Sequence, residues 1–575
     1  MLYSQSKIYL ASWGIYFSFF FENDVPLRVN SLCRHMPGDA SWPSQNEWED
    51  LNSTVNGRLI VTKPIAFSCH EPNYNETECK TARELWTWPM LHSENSASVM
   101  NPYFLNHSCD PFTDSSEPCL NGNLPEYVIN VSSAADVAAG LKFAEKNNIR
   151  VTIKNTGHDF IGRSSGAGAL SIWTHNLKGL EFLDYESKLY TGRAAKIGAG
   201  SQAYEILPAA NEAGVRVLAG WCPTVGIVGG YTQGGGHGPL IGEYGLAADQ
   251  TLEWEVVTAL GEHLVASPYE NSDLYWALSG GGGGTYAVVL SMTTKAHPEG
   301  LMGGGNLTLT TSGNSIDVLW QAVDLWNAFL PKVVDEGIQS TYMLTHETFS
   351  IYSITWSGHT GEELKSLLQP FTSQLEQLHI TYQSEYTSFP RFYDHYTHYT
   401  PGLPYGDYEI SELTGGRLIP RSIVESEDTN SGFTSTLRNI TVGGRFVLNC
   451  VASNVAHSRV GNNPESNAVL PAWRTSIMSI FIVVLWDPKA AIEEGLESAY
   501  EMTDEIVPQL ERITPGDFRL KTWKEDYFGS NYGTLREVKR KYDPNDLFYA
   551  VVSVGSDEWS VAGDGRLCRA SNVTE

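Results

Sequence analysis

The stretch Gly220-Trp221-Cys222-Pro223-Thr224-Val225-Gly226 presents a cysteine between glycines. Upstream, Lys154-Asn155-Thr156-Gly157-His158-Asp159 presents a histidine in a second glycine-rich loop. A thiol and an imidazole displayed in this way are two nucleophiles able to tether one planar cofactor at two points. Glycine is functional where backbone must approach a ligand closely or take positive φ. Three clusters have that character: Gly157 to Gly166; Gly226 to Gly245, which includes Gly229, Gly230, Gly234, Gly235, Gly236-His237-Gly238 and Gly242; and Gly280 to Gly284, preceded by Asp273-Leu274-Tyr275-Trp276-Ala277. Successive N–H groups in such loops form anion nests suited to a pyrophosphate. Apolar strand-like runs bracket each cluster, which argues against flexible linkers.

Gly198-Ala199-Gly200-Ser201-Gln202-Ala203 matches a dinucleotide fingerprint in letters only, because no strand ending in Asp or Glu follows about 20 residues later. It reads as a turn before a helix. No Walker lysine follows any glycine run, so nucleotide hydrolysis finds no support.

A length of 575 residues is too much for one ordinary core, and 42% hydrophobic with 11% aromatic residues describes a packed globular protein. The net charge of −28 excludes a nucleic-acid binder, which needs a basic footprint. Ile8 to Phe21 is uncharged and aromatic, too short to span a bilayer but suited to a secretory signal. Asn-x-Ser/Thr acceptors at Asn52, Asn75, Asn106, Asn130, Asn306, Asn439 and Asn572 point to a secreted or secretory-pathway protein. So do Cys33, Cys69, Cys79, Cys109 and Cys119, crowded at the N-terminal end as in a disulfide-stapled segment. No Cys-x-x-Cys pairing suggests a metal. With Cys222 set apart, Cys450 in the apolar run Phe446 to Val451 is the candidate free thiol. The other six cysteines allow 15 connectivities, which sequence leaves open.

Residues 1–21 read as a possible signal segment and 22–121 as a cysteine-rich wrap of short elements. From Pro125 the texture changes: strand Tyr127 to Val131, a helix capped by Ser133 through Lys146, and strand Arg150 to Lys154 open a domain over 122–300. Residues 301–514 follow as strand Asn306 to Thr311, helix Ser315 to Val334, strands Gln339 to His346 and Ser350 to Trp356, helix Glu362 to Leu378 and strand Ile380 to Tyr386. That order predicts an antiparallel sheet with helices on one face. Residues 387–470 read as loops rich in aromatics, Ser476 to Leu485 as a strand, and Pro488 to Glu511 as one long helix. The segment 515–560 regains a compact texture.

These signatures resemble the vanillyl-alcohol-oxidase superfamily in its berberine-bridge-enzyme-like branch, with a texture like its fungal members. The likeness is strong over 122–300 and clear over 523–553. It implies an α+β fold: a two-lobed FAD-binding PCMH-type domain plus an antiparallel substrate domain, closed by 515–560. Gly157-His158 looks like the histidine joined to the flavin 8α-methyl, and Cys222-Pro223-Thr224-Val225-Gly226 like the cysteine joined at flavin C6. Thr156, Gly162, Gly229, Gly230, Gly235, His237, Gly238, Gly245 and Leu246 are the matching cradle positions. Asp249, Val257, Gly283, Gly284 and Val288 resemble segments packing the adenosine end. Tyr527-Phe528-Gly529-Ser530-Asn531-Tyr532, with Tyr542-Asp543-Pro544-Asn545-Asp546-Leu547-Phe548, resembles the closing signature. Lys154 stands where many relatives carry Arg. The plant glutamate base has no counterpart near Asn467 to Arg474, so the base stays unassigned, with Tyr231 and Tyr352 as weak candidates beside the ordinary packing role of a sheet tyrosine. Val225 matches the position that gates oxygen, and valine there goes with oxidases.

The resemblance implies a monomeric FAD oxidase, acting on a small-molecule substrate with molecular oxygen as acceptor. Phe389, Phe392, Tyr393, Tyr396, Tyr399, Tyr405 and Tyr408 suggest a hydrophobic natural-product intermediate as that substrate. They equally suit a carbohydrate, which leaves a sugar or alcohol oxidase open. A flavin-carrying binding protein without turnover is the alternative of another class.

Overall fold

The computed structural model describes residues 33–101, 108–406, 411–514 and 523–570. The candidate signal segment, the acceptors Asn106 and Asn572, Tyr408 and the start of the closing segment lie outside them.

The first lobe joins two sheets. One runs Leu59–Val61, Tyr127–Asn130, Leu170–Trp173, Val151–Lys154, with its last three strands parallel. Ser133 caps the crossover helix Ala134–Lys146 by accepting the Asp136 N–H at 3.3 Å. The second sheet is antiparallel, in the order Leu180–Glu186, Thr191–Gly198, Ala287–Lys295, Thr251–Thr258, His263–Ala266. Val137 and Leu141 of the helix close a core with Val257 and Val288, which pair across adjacent strands. Gly198 to Ala203 is the turn before helix Ala203–Glu212, as read from sequence.

The second lobe is one antiparallel sheet: Gln383–Phe389, Met302–Thr310, Thr348–Ser357, Gln339–Leu344, Val447–Ala452, Ser476–Leu485, Glu412–Pro420. Helices Ile316–Asp335, Gly361–Gln377 and Glu427–Thr441 bury Trp326, Phe371 and Phe433 in its core.

Several expectations shift. The edge strand Glu412–Pro420 and helix Glu427–Thr441 arise where sequence suggested loops. Gly415-Gly416 reads locally as a turn, yet a Cβ on Gly416 would stand 2.6 Å from the Ile480 carbonyl, so close strand pairing requires it. The long helix is divided into Ile492–Glu501, a wide π turn Met502–Ile506 and Val507–Ile513, because Pro508 has no N–H for the Asp504 carbonyl. Strand Ile380 to Tyr386 moves to Gln383–Phe389.

Cys69–Cys79 and Cys109–Cys119 close short loops in the wrap, while Cys33–Cys568 joins the two ends of the described chain. Cys222 and Cys450 take part in no disulfide, and Cys450 is buried. Helices Trp523–Phe528 and Tyr532–Tyr542 return to the first lobe, where Tyr542 donates to Asp273 at 2.9 Å and buried Lys539 to the Thr285 carbonyl at 3.1 Å.

Candidate functional site

The His158 and Cys222 loops meet on one hydroxyl. Buried Thr224 Oγ1 lies 2.8 Å from His158 Nε2 and 3.5 Å from Cys222 Sγ. Strand Val151–Lys154 delivers the first loop, and Gly157 turns it at φ +85°, where a Cβ would stand 3.1 Å from Lys154 Cε. Lys154 itself is wholly buried and donates to the carbonyls of His92 and Asn95, and burial pushes its pKa down to about 7. The start of helix Ala203–Glu212 holds the second loop: Ala203 N–H donates to the Val225 carbonyl, Tyr204 N–H to Pro223, and Gln202 Nε2 to Thr224 at 2.6 Å. Asn155 lies between the loops, donating to the Ala199 carbonyl at 2.6 Å, and a Cβ on Gly226 would stand 2.1 Å from its Oδ1.

Burial sets the charge states. It lowers the His158 pKa to about 4, which keeps the imidazole neutral at ordinary pH. It raises Cys222 above its ordinary 9.0, keeping the thiol protonated.

The glycine loops stack against each other and leave an open face. Gly230 and Gly284 have no atom within 4 Å of an added Cβ, whereas one on Gly283 would meet Gly230 Cα at 3.2 Å. Gly162, Gly235, Gly236 and Gly245 all take positive φ, and a Cβ on Gly238 would stand 2.0 Å from the Ala219 carbonyl. Asn155 Oδ1, Trp221 Nε1, Tyr231 Oη and His237 Nδ1 are buried with no hydrogen-bond partner among the described residues. Orphaned donors and acceptors beside bare glycine backbone fit a planar group with polar edges. One neutral imidazole and one thiol on a shared hydroxyl fit its attachment at two points.

The other expected site residues divide in two. His237 stands with the open loops, its ring 5.5 Å from Phe481 and 6.0 Å from Trp473. Tyr231 lies between the Gly220 and Gly236 backbones, and burial pushes its hydroxyl pKa well up. Tyr352, 39% exposed, projects from the sheet of the second lobe opposite buried Phe349 and Ile351, and burial of its hydroxyl raises its pKa too. Val257 and Val288 are core side chains. Asp249 spends its carboxylate on Arg474 at 2.7 Å, on Asn462 and Asn467, and on the Leu246 N–H at 2.9 Å, so it latches one lobe to the other. Asn531 donates to the carbonyls of Ala468 and Val469 at 3.2 Å, supporting that same segment. The broad aromatic face expected over 389–408 is largely core, with Phe392, Tyr396 and Tyr399 buried. Sequence reasoning missed Asn155, the Asp249–Arg474 latch and the first turn after Gln202. Only the register Gln202-x-x-Glu205, a helix-start pattern, carried a local signal for the last.

Two family models match the chain: an FAD binding domain over residues 125–267, and berberine and berberine like over residues 515–555. A VAO-type flavoprotein oxidase of Thermothelomyces thermophilus is 44% identical over 94% of this chain and 95% of its own length. A bifunctional decalin synthase of Penicillium decumbens is 45% identical over 95% of this chain and 97% of its own length. The crystal structure of a VAO-type flavoprotein of Myceliophthora thermophila superposes with a TM-score of 0.89 at 43% identity, covering 94% of this chain and 100% of that one. The berberine bridge enzyme of Eschscholzia californica, 17% identical with a TM-score of 0.65 over 88% of this chain and 99% of that one, shares the fold.

Proposed function

This chain belongs to the VAO-type, berberine-bridge-enzyme-like FAD-linked oxidoreductases, and from that premise we propose that it holds FAD covalently at both His158 and Cys222 and acts as an oxidase on a hydrophobic natural-product intermediate. The convergence of His158 Nε2 and Cys222 Sγ on Thr224 Oγ1, at 2.8 and 3.5 Å, carries the reading. Each attachment replaces one N–H or S–H and one flavin C–H, and the two hydrogens leave with their electrons to dioxygen as hydrogen peroxide. When bound at these residues, FAD would supply the redox chemistry, hydride acceptance from a substrate C–H and delivery of two electrons to dioxygen.

The chain's residues do the rest. Neutral His158 keeps a ring lone pair for bonding, and Thr224 orients both tethers. The glycines Gly229, Gly230, Gly283 and Gly284 let backbone approach the ring and pyrophosphate. Val225, half-buried beside the tether, sets the room for oxygen. Tyr231 and Tyr352, with raised pKa values, keep their protons at neutral pH and serve as hydrogen-bond donors rather than bases. Half-buried Phe389, Tyr393 and Tyr405 offer apolar contact to a substrate, and the decalin synthase among the relatives supports the natural-product class. Three disulfides, with Asn75 and Asn439 exposed as acceptors, support a secretory route.

Acid precipitation tests the attachment. The pellet of wild-type protein should stay yellow, His158→Ala and Cys222→Ala should each retain covalent flavin, and the double variant should release it. Flavin wholly in the wild-type supernatant refutes the reading.

A further inference from the structure

Helix Phe392–Tyr399 follows the first edge strand of the second lobe, where His395 and Tyr399 bond Thr355 and Thr387, yet its Phe392 and Tyr396 join the core of the first. Tyr396 is 1% exposed, and its hydroxyl donates to the Trp221 carbonyl at 2.9 Å and reaches the Gly220 carbonyl at 3.4 Å. Its ring lies on the Trp221 indole at 5.8 Å with planes 7° apart. The two residues immediately before Cys222 are therefore gripped from the substrate lobe. Ala203 and Tyr204 grip Pro223 and Val225 from the flavin lobe. Tyr393 shares the helix and stacks on Tyr396 at 6.5 Å, but no hydrogen bond among the described residues joins it to the loop.

We propose that Tyr396 is a positioning residue that fixes the Cys222 thiol for flavin attachment, so that the second tether forms only when the substrate lobe is docked. The inference rests on the covalent reading above. Gly220 gives the strand-to-loop connection torsional freedom, and the Tyr396 hydroxyl removes it where a small displacement of the nucleophile is costly. His158 is held by its own strand and by Thr224, so its tether is independent of Tyr396.

The test compares wild type, Tyr396→Phe and Tyr393→Phe as purified holoproteins. Each is unfolded, alkylated, digested and weighed by mass spectrometry. Wild type and Tyr393→Phe should yield one cross-linked peptide bearing His158, flavin and Cys222. Tyr396→Phe should keep flavin on the His158 peptide, while alkylated Cys222 rises about tenfold, with alkylated Cys450 as the standard for a free thiol. Tyr396→Leu, which removes the stacking ring as well, should lose the cross-link at least as far. Tyr396→Phe as fully cross-linked as wild type overturns the positioning role alone. Free Cys222 in wild type overturns the bicovalent reading and this inference with it.

Discussion

The two tethers should differ in their response to pH, Cys222 strongly dependent and His158 flat, and the structure sets the sizes. Burial holds the His158 pKa near 4, so at pH 6 about 99% of the imidazole is neutral, and raising the pH to 8 adds about 1%. Cys222 lies above 9.0 because burial disfavours the thiolate, and the Glu412 carboxylate raises it further. The thiolate is the attacking form, and below the pKa its fraction grows about tenfold per pH unit, which makes about 100-fold between pH 6 and 8. The sign is fixed: alkali speeds attachment at Cys222 and leaves His158 unchanged. Flavin-free Cys222→Ala and His158→Ala proteins from a riboflavin-starved host isolate the two reactions. After FAD is added, aliquots are stopped in acid and the absorbance of the pellet is followed over time. A flat Cys222 profile below pH 8 would refute the claim that burial governs this thiol. Thr224→Val should slow Cys222 attachment further, since the hydroxyl's hydrogen bond favours the thiolate.

Asp249→Ala leaves Arg474, 8% exposed, as a buried unpaired cation, and should destabilise the folded protein by about 3–5 kcal/mol, read as a lowered thermal midpoint; Arg474→Met in that background should restore part of it. Val225→Leu adds one methylene where packing registers it and should slow reoxidation by air several-fold, with anaerobic reduction by substrate little changed, in stopped-flow measurements. Mass analysis of nonreduced protein from a secreting host should find Cys69–Cys79, Cys109–Cys119 and Cys33–Cys568 intact and Cys450 free.

The sequence by itself determined what rests on local rules. The capped helix Ala134–Lys146, helices Ile316–Asp335 and Gly361–Gln377 of the second lobe and strand Ser476–Leu485 follow hydrophobic period and capping, which act within a few residues. The glycine clusters and the two nucleophiles were legible because a close backbone approach leaves a compositional mark. Tertiary structure alone decided which groups share a site. That His158 meets Thr224, that Asp249 pairs with Arg474, and that Tyr396 holds the Trp221 carbonyl are contacts between residues tens to hundreds of positions apart. The Cys33–Cys568 pairing is of the same kind. Such pairs are selected by the packing of whole lobes, and a residue's own neighbours in sequence carry no signal of them. The strand Glu412–Pro420 shows the limit most plainly: Gly415-Gly416 weakens a strand locally, and only the Met502 and Val507 side chains packed on Gly415 and the Ile480 backbone beside Gly416 make that pair the residues that fit.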